Sequence, residues 1–325
     1  MSGSRQGDSK LDDAARAGWL YYVAGNTQDE IAKKMRVSRQ SAQRLVSLAV
    51  SEKLIKFRLD HPIGRSMELE EALRQRFDLN VCRVVPSDPA SQNLVAGLAV
   101  AGASEIESHL KQREPQVIAL GTGRVLRACV EELPKMDCPR HRLVSLVGNM
   151  HSDGSATRFN VVVKMADRVG AEHFPMPLTV LVKSAEELPL LHEQAPIANT
   201  RRLCAEADVT FVGIGQIGPD APLLVDGFVE EEETRILMKN GAIGEIVGWA
   251  FDADGRVIDG LSNARVSSAP LIPGNPRPVI GLANGAAKTA AILAALKGRL
   301  INGLITDESS AELVLAGVKS VKNDV

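Results

Sequence analysis

Polar side chains recur on one face of a helix that is predicted to begin at Ser38. The i, i+3, i+4, i+7 spacing places four of them together: Gln40, Gln43, Arg44 and Ser47. An arginine can pair with guanine and a glutamine with adenine, each through two hydrogen bonds to the edge of the base. Residue types and spacing therefore predict a surface that could read duplex DNA in the major groove.

Two helices separated by a tight turn are predicted to position this surface. Thr27 and Glu30 have the spacing of a capping box that opens the first helix, and Ser38 is a favoured N-cap residue for the second. Residues 36–37 supply the turn. Buried stripes are expected at Ile31, Ala32 and Met35 of the first helix and at Ala42, Leu45, Val46 and Ala49 of the second. This pattern is typical of a helix-turn-helix, whose second helix enters the major groove.

The flanking segments complete a small N-terminal domain, which we place at residues 1–62. "LDDAARAGWLYYVAG" predicts an earlier helix that ends at Gly25, and its buried face is expected at Ala15, Trp19, Tyr22 and Val23. "LIKFRL" predicts a strand, a small wing, with Lys56 and Arg58 on one face. "DHP" then breaks it.

The predicted DNA contacts are Thr27, Ser38, Arg39, Gln40, Gln43, Arg44 and Lys56. Lys33, Lys34 and Arg58 are expected to help position the phosphates. The alternative is a helical hairpin with a solvated polar face, which is what most polar helix faces are. Charge favours DNA: residues 1–66 hold twelve Lys/Arg against seven Asp/Glu, a net +5, whereas the remainder carries −7.

The composition is that of a soluble globular protein. Of the 325 residues, 45% are hydrophobic and 24% are charged, and this length favours about two domains. The cysteines form no C-x-x-C pair and no histidine lies at zinc spacing, so we expect no metal site. Reduced thiols are expected at Cys82, Cys129, Cys138 and Cys204.

The chain shows no sequence signal for export or for membrane insertion. Its start, "MSGSRQGDSK", has no apolar signal-peptide core. The longest apolar run, "NLVAGLAVAGA", is too short to span a bilayer. We therefore expect a cytoplasmic protein with no membrane partner.

Short β-branched runs alternate with helical stretches from about Met67 onwards. Candidate strands lie at residues 81–86, 116–120, 142–147, 178–182, 209–214, 245–251, 278–282 and 303–306. Strand–helix alternation predicts an α/β domain with a mostly parallel sheet, which we place at residues 63–325. Ligands of such sheets bind beyond the carboxyl ends of the strands, so the loops that follow strands are the places to search.

Three glycine-containing loops each follow a predicted strand of this domain. They are "GTGR", with Gly121, Thr122, Gly123 and Arg124; "GIGQ", with Gly213, Gly215 and Gln216; and "GLANGAAK", which reaches Lys288. Glycines let the backbone approach a ligand, and a helix N-terminus offers free N–H groups to oxygen atoms. None of the loops matches a nucleotide-binding fingerprint, so no cofactor is expected.

The loops together suit a small polyhydroxylated or anionic ligand. Arg124 and Lys288 could meet hydroxyls or phosphate, and Glu245 could accept hydrogen bonds from hydroxyls. The alternative for each residue is that the glycines serve only the turns and that the charged side chains are simply solvated. The candidate effector contacts are Gly121, Thr122, Gly123, Arg124, Gly213, Gly215, Gln216, Glu245 and Lys288.

Four segments carry a resemblance to a known family. They are "TQDEIAKKMRVSRQSAQRLV", "FVGIGQIGP", "GAIGEIVGWAFDADGRVI" and "GLANGAAKTAAILAALKGRLINGLITDESSAELVL". Over nearly its whole length the chain resembles the SorC-type (SorC/DeoR) sugar-binding bacterial transcriptional regulators. The last segment is the most specific, because its glycine turn, lysine helix, "LITDE" and serine occur in the family's order.

The resemblance implies a bacterial repressor or activator of a carbohydrate or polyol catabolism operon. An N-terminal helix-turn-helix would bind double-stranded operator DNA. The effector domain would have a fold similar to sugar-phosphate isomerases, glucosamine-phosphate deaminases and CoA transferases. A homo-tetramer is implied, with a dimer as the alternative. The effector, often a phosphorylated sugar, would lie among residues 121–124, Glu245 and Lys288.

The first glycine loop departs from the family pattern. Where the family has Gly-Arg-Thr, this chain has Gly123, Arg124 and Val125. The missing hydroxyl favours an unphosphorylated polyol or sugar, such as sorbitol, mannitol or erythritol. Arg124 leaves a phosphorylated sugar open.

A sugar isomerase or deaminase on the same fold is the alternative class. No paired carboxylates and base lie at an obvious catalytic spacing, so we predict no catalytic residues and no enzyme. The fold alone does not settle activity. Lys288 could form a Schiff base with an aldehyde sugar without turnover.

Overall fold

The computed structural model describes residues 3–52, 54–55, 63–88, 95–150, 154–156 and 160–321. Its contacts divide the chain into two compact units, Met1–His61 and Pro62–Val325. Each unit has its own cluster of buried apolar side chains, as independent domains do. This division lies one residue before the boundary that the sequence predicts. Among the described residues, no helix combines the length and the apolar character that crossing a membrane requires.

The described part of the N-terminal unit contains three helices; the second and third begin where the sequence predicts, whereas the first begins at Gly3, before the predicted stretch that opens at Leu11. They are α1 (Gly3–Tyr22), α2 (Gln28–Met35) and α3 (Arg39–Ser51). The capping box is confirmed, because the Thr27 amide donates to Glu30 Oε2 at 2.7 Å and the Glu30 amide donates to Thr27 Oγ1 at 3.4 Å. The Ser41 amide donates to Ser38 Oγ at 3.1 Å, which caps α3.

The core of this unit confirms the predicted stripes of α2 and α3 but not that of α1. Ile31, Ala42 and Val46 are buried as expected. In α1 the buried residues are small ones such as Ala17, whereas the predicted face is wrong: Trp19, Tyr22 and Val23 are exposed and Ala15 is half-buried. Close packing explains the difference, because a Cβ on Gly18 would lie 2.8 Å from the Ala49 Cβ. An indole does not fit where α1 and α3 approach so closely. The predicted strand "LIKFRL" and the break "DHP" fall largely outside the described residues.

The larger unit alternates strands and helices along most of its length. Its elements are α4 (Gly64–Phe77), β1 (Val81–Val85), α5 (Ala96–Leu110), β2 (Val117–Leu120), α6 (Arg124–Glu132), β3 (Arg142–Met150), α7 (Val161–Val169), β4 (Glu172–Thr179), α8 (Glu187–Glu193), α9 (Ala195–Ala205), β5 (Val209–Gly213), β6 (Gly215–Gln216), α10 (Pro222–Val225), α11 (Glu231–Lys239), β7 (Gly244–Ile246), β8 (Trp249–Phe251), β9 (Val279–Leu282), α12 (Thr289–Lys297), β10 (Gly303–Asp307) and α13 (Glu308–Val321). Short 3₁₀ helices lie at Leu261–Arg265 and Ala286–Lys288.

Seven of these strands form one parallel sheet, in the order β1-β10-β9-β5-β2-β3-β4. Every residue of β2, β9 and β10 is buried, as in parallel sheets that helices cover on both faces. The mostly parallel α/β domain is therefore confirmed. A second, antiparallel sheet joins β6, β7 and β8.

Two predicted strands are wrong in detail, for different reasons. The single strand at 245–251 is a hairpin in which Ile246 pairs with Trp249. Its two-residue turn, Val247 and Gly248, has φ values of 47° and 91°. Positive φ at both positions is typical of tight hairpin turns, but a β-branched residue rarely adopts it, so the sequence conceals the turn.

The strand predicted at 178–182 is displaced towards the N-terminus. β4 occupies Glu172–Thr179 and contains Pro175 and Pro177. Proline cannot donate to a neighbouring strand, and it is tolerated because β4 lies at the edge of the sheet. Because β4 contains two prolines and few β-branched residues, its sequence does not have the pattern that predicts a strand.

Candidate DNA-binding helix and effector cavity

The outer face of α3 is exposed to solvent. Gln40, Gln43, Arg44 and Ser47 all lie on it, opposite the buried Ala42 and Val46. The side chain of Arg39 is 70% exposed, and its Nε lies 3.5 Å from Asp29 Oδ1 of α2. An exposed ion pair of this kind is weak and can exchange for a phosphate or a base.

The other predicted DNA contacts differ in how they are held. Thr27 and Ser38 cap α2 and α3, so their hydroxyls already bind helix amides. Lys33 and Lys34 are exposed on α2. Lys56 and Arg58 lie outside the described residues.

A cavity of about 270 Å³ opens at the carboxyl ends of the parallel strands in the larger unit. The loops after β2, β5 and β9 contribute to its wall, together with the hairpin of β7 and β8. It brings together seven of the nine predicted effector contacts: Thr122, Gly123, Arg124, Gly213, Gly215, Glu245 and Lys288. This is the position at which parallel α/β sheets bind ligands.

Gly121 and Gln216 lie outside the lining of this cavity. Gly121 belongs to the sheet, because its amide donates to the Phe211 carbonyl at 2.8 Å. A Cβ added to it would lie 3.1 Å from Val247 Cγ1. The side-chain Nε2 of Gln216 donates to the Asp220 carbonyl at 3.3 Å, so this side chain stabilises the loop after β6.

Four charged side chains line the cavity. Arg124 Nη2 lies 3.2 Å from Asp226 Oδ1. Glu245 is only 9% exposed, and its Oε2 accepts a hydrogen bond from the Gly248 amide at 3.0 Å. The amide of a tight hairpin turn thus holds one carboxylate oxygen in place.

Burial shifts both members of the Glu245–Lys288 pair towards their neutral forms. Loss of solvent raises the pKa of Glu245, and the nearby Asp226 adds to this, while the Gly248 amide and Lys288 oppose it. Loss of solvent lowers the pKa of Lys288. The negative charge of Glu245 opposes this shift, and the positive charge of Arg124 adds to it. Such shifts are typical of functional sites.

Effector affinity should therefore fall at both ends of the pH range. As pH falls, Glu245 gains its proton earlier than an ordinary glutamate would; as pH rises, Lys288 loses its proton earlier than an ordinary lysine would. Glu245→Gln should remove the acidic limb of the profile and leave the alkaline limb. Titration calorimetry from pH 5 to pH 10 measures this, and an acidic limb that persists in the variant contradicts it.

Glycines give the cavity its open backbone. Gly123 in the cavity wall and Gly285 in the loop that leads to Lys288 have φ values of 112° and 101°, and a Cβ on either would meet no atom within 4 Å. Gly215 is different, because its Cβ would lie 2.2 Å from Glu245 Oε1. Gly215 therefore makes room for the carboxylate of Glu245.

Gly215→Ala should displace this carboxylate and weaken effector binding. We expect a loss of about 1–2 kcal/mol, roughly 5- to 30-fold, measured by calorimetry. The matched control is Gly218→Ala, since a Cβ at Gly218 meets nothing within 4 Å. Equal affinities in the two variants would show that Glu245 does not need this space.

The "NGAAK" and "LITDESS" segments hold each other beside the cavity. Asn284 Nδ2 donates to Asp307 Oδ2 at 2.9 Å, and the Ser310 amide donates to Asp307 Oδ1 at 2.8 Å. The Gly285 amide donates to Ser310 Oγ at 2.8 Å. The loop that carries Lys288 is thereby fixed to the start of α13.

The other residues of the cavity were not among the predicted effector contacts. Asp226 and Asn284 supply polar groups, and the apolar wall consists of Val95, Val125, Val147, Val180, Ile214, Pro222, Leu223, Phe228, Val247 and Leu282. The apolar residues look like ordinary core positions. Asp226 follows the short helix α10 in a "DG" turn, a signal for a turn but not for a site.

The described residues contain no group of three or more His, Cys, Asp or Glu side chains that could hold a metal ion. All four cysteines are free. Burial raises the pKa of Cys82, Cys129 and Cys204 to about 12. Such thiols stay protonated and unreactive at neutral pH.

Comparison with solved structures supports the fold. The full-length sorbitol operon regulator SorC from Klebsiella pneumoniae matches with a TM-score of 0.71 at 24% identity, covering 93% of this chain and 97% of that chain. A DeoR family transcriptional regulator from Listeria monocytogenes matches with a TM-score of 0.70 at 21% identity, covering 77% of this chain and 100% of that chain.

Sequence comparison identifies the family. The profile described as "Putative sugar-binding domain" matches residues 61–316. The erythritol catabolism regulatory protein EryD of Brucella abortus (strain 2308) is 30% identical over 302 residues, 93% of this chain and 96% of that protein. The transcriptional regulator LsrR of Enterobacter sp. (strain 638) is 31% identical over 316 residues, 93% and 92% of the two chains. The chain belongs to the SorC-type family of sugar-binding transcriptional regulators.

Proposed function

We propose that this chain binds operator DNA through α3 and regulates a carbohydrate or polyol catabolism operon in response to a ligand in the cavity. The exposed polar face of α3 carries the proposal, because its Arg and Gln side chains are of the types that pair with base edges in the major groove. Arg39, Gln40, Gln43 and Arg44 would read a half-site, and Lys33 and Lys34 would contact phosphates.

The effector is a sugar, a polyol or a sugar phosphate. Glu245 accepts hydrogen bonds from ligand hydroxyls, and Lys288 and Arg124 donate to ligand oxygen atoms. Relatives support a polyol as the first candidate, since EryD is named for erythritol catabolism and SorC for the sorbitol operon. The residues of the cavity act in binding and not in turnover.

The switch needs two arrangements of a dimer or tetramer that differ in affinity for the effector. Two helix-turn-helix units would read half-sites about 34–36 Å apart, one helical turn. A ligand that binds one arrangement better shifts the population towards it. Coupling of this kind is typically about 1–3 kcal/mol, or roughly 5- to 150-fold in DNA affinity. The protein would act in the cytoplasm, where the operator lies.

A gel-shift assay with the DNA upstream of the regulated operon tests the function. We expect binding that weakens steeply with salt, because Lys and Arg side chains release counterions from DNA, and that changes when a polyol or sugar phosphate is added. Thermal-shift screening against a panel of polyols and sugar phosphates identifies the effector. Steady isomerisation of a sugar phosphate without affinity for DNA would instead establish the enzyme class.

A further inference from the structure

We propose that Asp226 selects the effector by charge, so that the cavity accepts a neutral polyhydroxylated ligand and rejects its phosphate ester. This selection rests on the proposed role of the cavity as the effector site. Asp226 would be the residue that determines specificity, and it acts by placing a fixed negative charge where an anionic ligand group would otherwise bind.

Asp226 lies at the end of the cavity that would attract an anion. There α6 begins at Arg124 after Gly123, an N-cap residue that has no side chain to bond the first amides, which are the groups that bind phosphate at helix N-termini. The Arg124 guanidinium is the natural partner for such an anion. It instead lies 3.2 Å from the Asp226 carboxylate, whose side chain is only 21% exposed.

The charges around the cavity balance without a ligand. The lining contains two cations, Arg124 and Lys288, and two carboxylates, Asp226 and Glu245. A phosphate dianion would therefore meet two carboxylates in a partly desolvated space, where like charges repel strongly. The first turn of α6 adds Val125, which lines the cavity with methyl groups and offers no hydroxyl to a phosphate.

A neutral ligand meets none of these penalties. The carboxylates accept hydrogen bonds from hydroxyls, and the two cations donate to hydroxyl oxygens while Arg124 keeps its contact with Asp226. At about 270 Å³, the cavity lies just below the range of roughly 300–1,000 Å³ that is usual for drug-sized ligands. A short-chain polyol or a single small sugar suits this volume.

The test compares Asp226→Asn with the wild-type full-length chain. The change keeps the shape of the side chain and removes its charge. Calorimetry would measure affinity for inorganic phosphate, and for a panel of four- to six-carbon polyols with their phosphate monoesters. We expect Asp226→Asn to bind inorganic phosphate and the monoesters at least tenfold more tightly than the wild type, and the preference for the neutral member of each pair to shrink by the same factor.

Asp254→Asn is the matched control. Asp254 also pairs with an arginine, Arg256 at 3.0 Å, but does not line the cavity, so its removal changes the net charge equally. Asp226→Ala replaces the asparagine variant if circular dichroism shows that the latter is misfolded. A gain in phosphate affinity no larger than that of Asp254→Asn overturns the proposal, as does a wild type that prefers the monoesters.

The phosphate measurement separates this proposal from the proposed function. Binding of inorganic phosphate to Asp226→Asn is measured without DNA, so the result does not depend on whether the protein binds an operator. A clear gain in phosphate affinity, together with no response of DNA binding to any ligand, would support charge selection and refute the regulatory switch.

Discussion

Replacing Arg44 with alanine should weaken operator binding by about 1–3 kcal/mol, roughly 5- to 150-fold. Arg44 lies in the middle of the exposed face of α3, where a recognition helix meets base edges. The loss should be visible in fluorescence anisotropy with an operator fragment at a fixed salt concentration. Effector affinity should not change, because the cavity lies in the other unit of the chain.

Arg16→Ala is the matched control for this prediction. Arg16 is exposed on α1 of the same unit, so the variant loses the same charge without changing α3. If both variants bind the operator equally, the outer face of α3 is not the reading surface. Arg44→Lys adds a further distinction, since it keeps the charge but loses the bidentate geometry that pairs with guanine. A base contact predicts a loss in this variant too, whereas a phosphate contact predicts little.

Local signals explain why the helix-turn-helix was predictable. A capping box such as Thr27 with Glu30 is a short-range pattern whose hydrogen bonds involve residues only three apart. The buried face of α1 was not predictable in this way. Which face of α1 is buried depends on how closely α1 approaches α3 at Gly18. The spacing of apolar residues along one helix carries no information on that distance.

The candidate site was predictable where a general rule of topology applies. Parallel strands end at the same edge, so the glycine loops after β2, β5 and β9 were expected to meet, and Gly123, Gly215 and Lys288 line one cavity. The hairpin that positions Glu245 was not predictable, because its turn contains Val247, and valine rarely adopts a positive φ. Asp226 lies about a hundred residues from Arg124 in the chain, and only the tertiary fold pairs them.

Glu245 illustrates why the cavity is suited to binding and costly to maintain. A buried carboxylate is destabilising unless hydrogen bonds and an opposite charge compensate for it. Here the compensation comes from the Gly248 amide and from Lys288. Ligand hydroxyls would donate further hydrogen bonds to Glu245, so effector binding should raise the stability of the larger unit.

Replacing Lys288 with alanine should shift the effector response to much higher effector concentrations while preserving operator affinity. Lys288 lies in the wall of the cavity near Glu245 and Arg124, and a charged hydrogen bond to a ligand oxygen contributes about 1.5–3 kcal/mol. The effector should therefore bind roughly 10- to 150-fold more weakly. Ligand-free DNA binding should remain, because α3 belongs to the other unit. Anisotropy at increasing effector concentrations measures both properties: the effector-free point gives operator affinity, and the concentration that the response requires gives effector affinity.

Lys297→Ala is the matched control, since Lys297 is an exposed residue in the last turn of α12, the helix that follows Lys288. It should keep the full response. Lys288→Met separates charge from packing, because methionine retains much of the apolar stem. If Lys288→Met and Lys288→Ala lose the response equally, the ammonium group binds the ligand. If Lys288→Ala responds like the wild type, the effector binds elsewhere, and the acidic and amide groups of this cavity serve only the fold.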